Sequence, residues 1–104
     1  MNNPYPNEKF TDAVDSMATS PKSIQERVGD AYVYSLIHVK TEEVPEEIQA
    51  QFNEVKRKLT RVEAVGDEGR VAATTNQMST DEAIEIANEI LHMAYVVKCD
   101  YYDI

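Results

Sequence analysis

Apolar side chains recur along this chain at intervals of three and four residues, and the runs are separated by short segments rich in Pro, Gly, Ser, Asp and Glu. That spacing gathers apolar groups on one side of an α-helix, because successive residues are turned by about 100°. Phe10, Ala13, Val14 and Met17 predict a short first helix over 7–18, with Asn7 as its cap. Ser20 before Pro21 reads as the next start: the serine oxygen can accept a free backbone N–H, and proline in the first turn forfeits no hydrogen bond. This second helix is expected over 21–39, with Ile24, Val28, Ala31, Tyr32, Leu36 and Val39 on one broad face and Val33 and Ile37 opposite. A strand is the competing reading of 31–39, since Tyr32-Val33-Tyr34 and Ile37-His38-Val39 favour β structure and Gly29 weakens a helix by about 1 kcal/mol relative to alanine.

Thr41 to Val44 reads as a turn, and Pro45 opens a helix over 45–60 with the narrow stripe Ile48, Phe52, Val55 and Leu59. Glu42, Glu43, Glu46 and Glu47 at its start and Lys56, Arg57, Lys58 and Arg61 at its end complement the helix dipole, and Glu54 is placed to pair with Lys58 four residues on. Gly66-Asp67-Glu68-Gly69 is a turn signal, followed by a short helix over 70–77. Ser79 with Glu82 forms a capping box that opens a last helix over 80–98. On that helix Ala83, Ile84, Ile86, Ala87, Ile90, Leu91, Ala94 and Val97 spread over more than half the circumference, which implies several packing neighbours. The fold class is therefore all-α, a small bundle of four to five helices, with 7–104 as a single helical domain and 1–6 as a flexible N-terminus carrying Pro4 and Pro6.

Charge narrows the set of partners. Nineteen acidic against ten basic side chains give a formal charge of -9, so the summed field repels phosphate backbones and direct nucleic-acid binding is not expected. The basic run Lys56-Arg57-Lys58-Leu59-Thr60-Arg61 lacks interleaved aromatics and reads as helix-end compensation. No apolar stretch approaches the ~20 residues of a membrane span, so no membrane partner is expected. The single cysteine, Cys99, excludes an internal disulfide, and the first ten residues have no basic segment followed by an apolar run; the cytoplasm is the expected compartment.

Few residues suggest chemistry. Glu89 and His92 form an E-x-x-H pair of the kind used in di-iron bundles, but that chemistry needs two such motifs and two further glutamates. They fall on the polar side of the last helix, where an intrahelical contact is the simpler expectation. His38 sits near an apolar face and reads as a partly buried histidine. Cys99, placed after the last helix beside Lys98 and Asp100, has no cysteine partner at redox spacing. Three glycines, Gly29, Gly66 and Gly69, cannot build a phosphate-cradling loop. No catalytic, cofactor-binding or metal residue is nominated, and no cofactor is expected.

What remains is surface. Tyr101 and Tyr102, read as following the last helix, are candidate partner contacts, because aromatic rings with a polar tip suit interfaces. Glu82, Glu85 and Glu89 form an acidic row on the last helix. The expected function is a non-catalytic helical interaction or regulatory protein, with a protein partner or a second copy of the chain as its ligand. Two alternatives stand beside it: an acidic mimic of nucleic-acid charge that occupies a basic groove, and a metal-binding bundle built on Glu89 and His92.

Overall fold

The computed structural model describes residues 3–66 and 69–104. Among them the regular structure is helical throughout: α1 (Tyr5–Thr19), α2 (Ile24–Ala31), α3 (Glu46–Leu59), α4 (Gly69–Gln77) and α5 (Thr80–Tyr102), with a π-helical turn at Tyr32–Leu36 and a 3-10 turn at Thr41–Glu43. The all-α bundle expected from the spacing is the fold. Residues 31–39 contain no strand; the helical reading holds as far as Leu36, with a change of winding after Ala31, and the expected end at 39 is three residues too far, since Ile37 and His38 form a turn.

The first two helix starts differ from the sequence reading. α1 begins at Tyr5, because the Pro4 carbonyl accepts from the Glu8 N–H at 3.0 Å and Pro6 sits in the first turn, where a missing N–H is harmless. Asn7 is therefore inside the helix and is not a cap; its Oδ1 is buried without a hydrogen-bond partner. Pro4 to Pro6 are held in or against this helix, while Asn3 accepts from the Tyr5 N–H and donates to Glu43. α2 is capped by Ser23, whose hydroxyl accepts from the Glu26 N–H at 3.2 Å. Ser20 is not its cap: its own N–H closes α1 on Ser16, and its hydroxyl takes the Lys22 N–H in the connecting turn. Pro21 consequently lies outside α2.

α2 continues into the π-helical turn, where the Ile37 N–H reaches back five residues to the Tyr32 carbonyl at 2.8 Å. The wider turn falls within the crowded β-branched and aromatic run, and such insertions are common at functional positions. It buries Tyr32, Ser35 and Leu36 and leaves Val33, Tyr34 and Ile37 facing out. His38 is exposed, contrary to the partly buried position expected for it.

α3 lies one residue inside the expected 45–60 at each end, with Pro45 at its N-cap position, and Ile48, Phe52, Val55 and Leu59 are all buried as the stripe predicted. Phe52 stacks at a tilt on Phe10, ring centres 5.5 Å apart, joining α3 to α1. α4 crosses α2 at Gly29, where an added Cβ would lie 3.1 Å from Thr75 Cγ2 and 3.3 Å from Val71 Cγ1. Thr74, fully buried, accepts the Val62 N–H at 3.0 Å and so ties the α3–α4 connection to α4. Gly66 and Gly69 both have left-handed φ, of 81° and 82°, which suits them to the expected turn; Asp67 and Glu68 lie outside the described residues.

α5 runs one turn further than 98, so Cys99, Tyr101 and Tyr102 are helical and do not follow the helix. Ser79 caps its start by accepting from the Glu82 N–H at 3.1 Å, but the Glu82 carboxylate is bound to Arg61 and does not complete a capping box. Ala83, Ile86, Ile90, Met93 and Val97 bury one face of α5 against α1, α2 and α3. Each large side chain withdrawn from water there contributes about 1.5–3 kcal/mol, and one contiguous core results.

Candidate functional site

The acidic row of α5 is not a free surface. Glu82 accepts from both terminal guanidinium nitrogens of Arg61, Nη1 and Nη2, the Nη2–Oε1 contact being 2.8 Å. Lys58 Nζ lies 3.1 Å from Glu89 and 3.2 Å from Glu85, and so bridges two turns of α5. The Arg61 hydrogen bond holds the Glu82 carboxyl below the usual carboxylate range, and the Glu89 hydrogen bond, ahead of Glu85, raises the Lys58 ammonium. These contacts exist because α3 runs antiparallel to α5, which brings the basic end of one helix onto the acidic start of the other. The expected Glu54–Lys58 pair is absent: Glu54 is taken by Arg57 one residue nearer, and Lys58 turns to α5.

The E-x-x-H pair is likewise separated. His92 Nδ1 is 3.1 Å from Gln51 Oε1 of α3, while Glu89 is held by Lys58, so the intrahelical contact does not form. Among the described residues no group of three or more His, Cys, Asp or Glu side chains is placed to hold a metal ion. Cys99 is half-buried. The Tyr95 phenol is raised above its ordinary pKa chiefly by a hydrogen bond with Cys99.

The two candidate tyrosines part company. Tyr101 is half-buried and faces the region of Pro6 and Pro45; Tyr102 is exposed and meets the Tyr101 ring edge-on at 4.8 Å. Tyr102 belongs to a line of side chains on the outer face of α5: Ile84, Asn88, Leu91, Tyr95, Lys98 and Tyr102, all exposed. Their spacing of four, three, four, three and four keeps them within a strip about 80° wide, opposite the buried face. Ile84 and Leu91 are each 47% exposed, Tyr95 68% and Tyr102 59%, in a protein whose core fills the other side of the same helix. Sequence reasoning counted Ile84 and Leu91 among the packing residues. They are seven apart and out of phase with Ala83, Ile86, Ile90 and Val97, so the spacing holds two apolar stripes without showing which of them meets the core.

A second apolar surface was not anticipated. An open groove of about 630 Å³ runs between α4 and the α2 segment with its π-helical turn, walled by Tyr32, Val33, Tyr34 and Ile37 on one side and by Val71 and Ala72 on the other. Glu26, Asp30 and Arg70 contribute charge to it. The clue in the sequence was Val33 and Ile37, which fell opposite the face assigned to the core, with Gly29 permitting the close crossing beneath.

The fold and these surfaces define a small helical bundle with apolar side chains left on its outside. Comparison with protein-family models, with curated proteins and with solved structures gave no match. No helix among the described residues is long and apolar enough to cross a membrane.

Proposed function

We propose that this chain is a non-catalytic protein-interaction protein whose contact surface is the outer face of α5. The carrying observation is the line Ile84, Leu91, Tyr95 and Tyr102, four large side chains kept in water along a 23-residue helix whose opposite face is fully employed in the core. Contiguous apolar patches on small soluble proteins commonly mark binding surfaces, and Tyr supplies rigid contact area at low entropic cost. Covalent cross-linking of the tagged protein in native extract tests the reading. Leu91→Lys and Tyr95→Lys should abolish the cross-linked species, and Tyr34→Ser, in the groove beside α4, should leave them. Cross-linked species unchanged by both α5 substitutions would refute it.

Charge mimicry draws no support from the acidic row, because Glu82, Glu85 and Glu89 are each ion-paired within the molecule. A small apolar ligand in the groove is the second reading, supported by its concavity and by a volume within the range of ligand sites. Binding of an anilinonaphthalene dye, lost on Val33→Asp and kept on Leu91→Lys, is the result that reading requires.

A further inference from the structure

We infer that the outer face of α5 is covered by a second copy of this chain, in a two-fold symmetric antiparallel helix pair. The inference rests on the interaction reading above and names its partner. From Ile84 to Tyr102 the seam covers 19 residues, about 27 Å of helix, long enough for five alternating spacings of a coiled-coil type contact.

The order of side chains along the seam selects the occupant. Ile84, Asn88, Leu91, Tyr95, Lys98 and Tyr102 run apolar, polar, apolar, apolar, polar, apolar, and this order is the same from either end. A foreign helix imposes no such symmetry. A two-fold axis crossing α5 between Leu91 and Tyr95 does, because each position must then meet its mirror position on the partner. The layers that result place Leu91 against the partner's Tyr95, Ile84 against the partner's Tyr102, and Asn88 against the partner's Lys98. Apolar meets apolar in four of the six contacts, and the two polar contacts each join an amide to an ammonium.

Charge fixes the direction. Parallel pairing in register would seat Lys98 on the partner's Lys98 inside the seam, set the exposed Asp81 and Glu85 beside their own copies, and align the two helix dipoles. Antiparallel pairing carries Lys98 into the acidic half of the partner helix and opposes the dipoles. On one flank of the seam the neighbours are the half-buried Ala87 and Ala94, whose small side chains permit a close interhelical approach of about 8 Å. Ala94 falls nearest the axis, where the two helices come closest.

Sedimentation equilibrium on the full chain, over a concentration series, tests this. The expected result is a mass rising from 11.8 kDa toward twice that value. Leu91→Lys and Tyr95→Lys, both at exposed positions and both checked by circular dichroism for retained helix, should each raise the dissociation constant at least about 30-fold, since every substitution enters the pair twice. Asn88→Glu decides orientation: it should tighten an antiparallel pair about 3-fold or more, by giving Lys98 a carboxylate, and would loosen a parallel one. A monomer at all concentrations, a dimer indifferent to Leu91→Lys, or a dimer weakened by Asn88→Glu each overturns the inference. A monomer from which Leu91→Lys strips a bound foreign protein also overturns it, while leaving the interaction reading intact.

Discussion

Lys58 bridges two glutamates at nearly equal distances, 3.1 Å to Glu89 and 3.2 Å to Glu85, and distance alone would assign them equal weight. Exposure separates them. The Lys58 and Glu89 side chains are each 20% exposed, whereas Glu85 is 65% exposed, so water screens one pair far more than the other. Exposed ion pairs contribute about 0.2–1 kcal/mol, and breaking a fully buried pair costs about 3–5 kcal/mol; the Lys58–Glu89 contact, between these limits, should couple by about 1–2 kcal/mol. The Glu85 contact should couple by about 0.3 kcal/mol. Lys58→Met keeps the aliphatic stem that covers α5 and removes only the charge. Paired with Glu89→Gln and with Glu85→Gln in two double-mutant cycles, it isolates each interaction. Urea unfolding at low and high salt is the assay, supported by thermal melts, in which each kcal/mol shifts Tm by about 4–8 °C for a domain near this size. Equal coupling in the two cycles, or a Lys58→Met variant as stable as the parent, would refute the argument that burial sets the strength of this clamp. Raised salt should weaken the Glu85 term first.

Three further outcomes follow from the same structure. Glu82 has a carboxyl pKa lowered from 4.5 by Arg61, so its contribution is present above that value and lost as pH falls through the lower folded-state pKa; Arg61→Gln should flatten the acid limb of stability against pH below 4.5, measured by urea midpoints. Thr74→Val leaves the Val62 N–H without its acceptor and should cost about 1–2 kcal/mol, with faster hydrogen exchange at the Val62 amide, whereas Thr74→Ser should keep that amide protected. Asp103 closes α5 with a left-handed φ of 58°, so Asp103→Gly should gain about 0.5 kcal/mol and Asp103→Ala should lose stability in thermal denaturation.

Several parts of this molecule were legible in the chain because they depend on near neighbours. The α3 bounds follow from Pro45 and the stripe Ile48, Phe52, Val55, Leu59, and the α5 start follows from Ser79, both local signals that no distant contact overrides. The α2 start was misplaced for a reason of the same kind. Two capping serines, Ser20 and Ser23, compete within four residues, and the first is consumed in closing α1. The winding of Tyr32–Leu36 was not legible, since a π-helical turn is a rare single-turn insertion within an α-helix and the three-and-four spacing of apolar residues carries no mark of it.

The candidate surface divides along the same line. Sequence alone determined the helical class, the charge, the acidic row and the presence of exposed-type tyrosines near the end of the chain. Only the tertiary structure decided that Lys58 and Arg61 neutralise that row, that His92 turns to Gln51 and away from Glu89, and that Tyr101 and Tyr102 face different surroundings. The spacing of Ile84, Leu91, Tyr95 and Tyr102 was always visible, but an amphipathic pattern that covers more than half a helix cannot say which apolar side meets the core. That choice belongs to α1, α2 and α3, whose combined contact buries the Ile86–Ile90–Met93 side and leaves the other to water. The physical reason is range: capping and dipole effects act within a turn of helix, whereas burial is settled by residues far apart in the sequence that meet only in the folded chain.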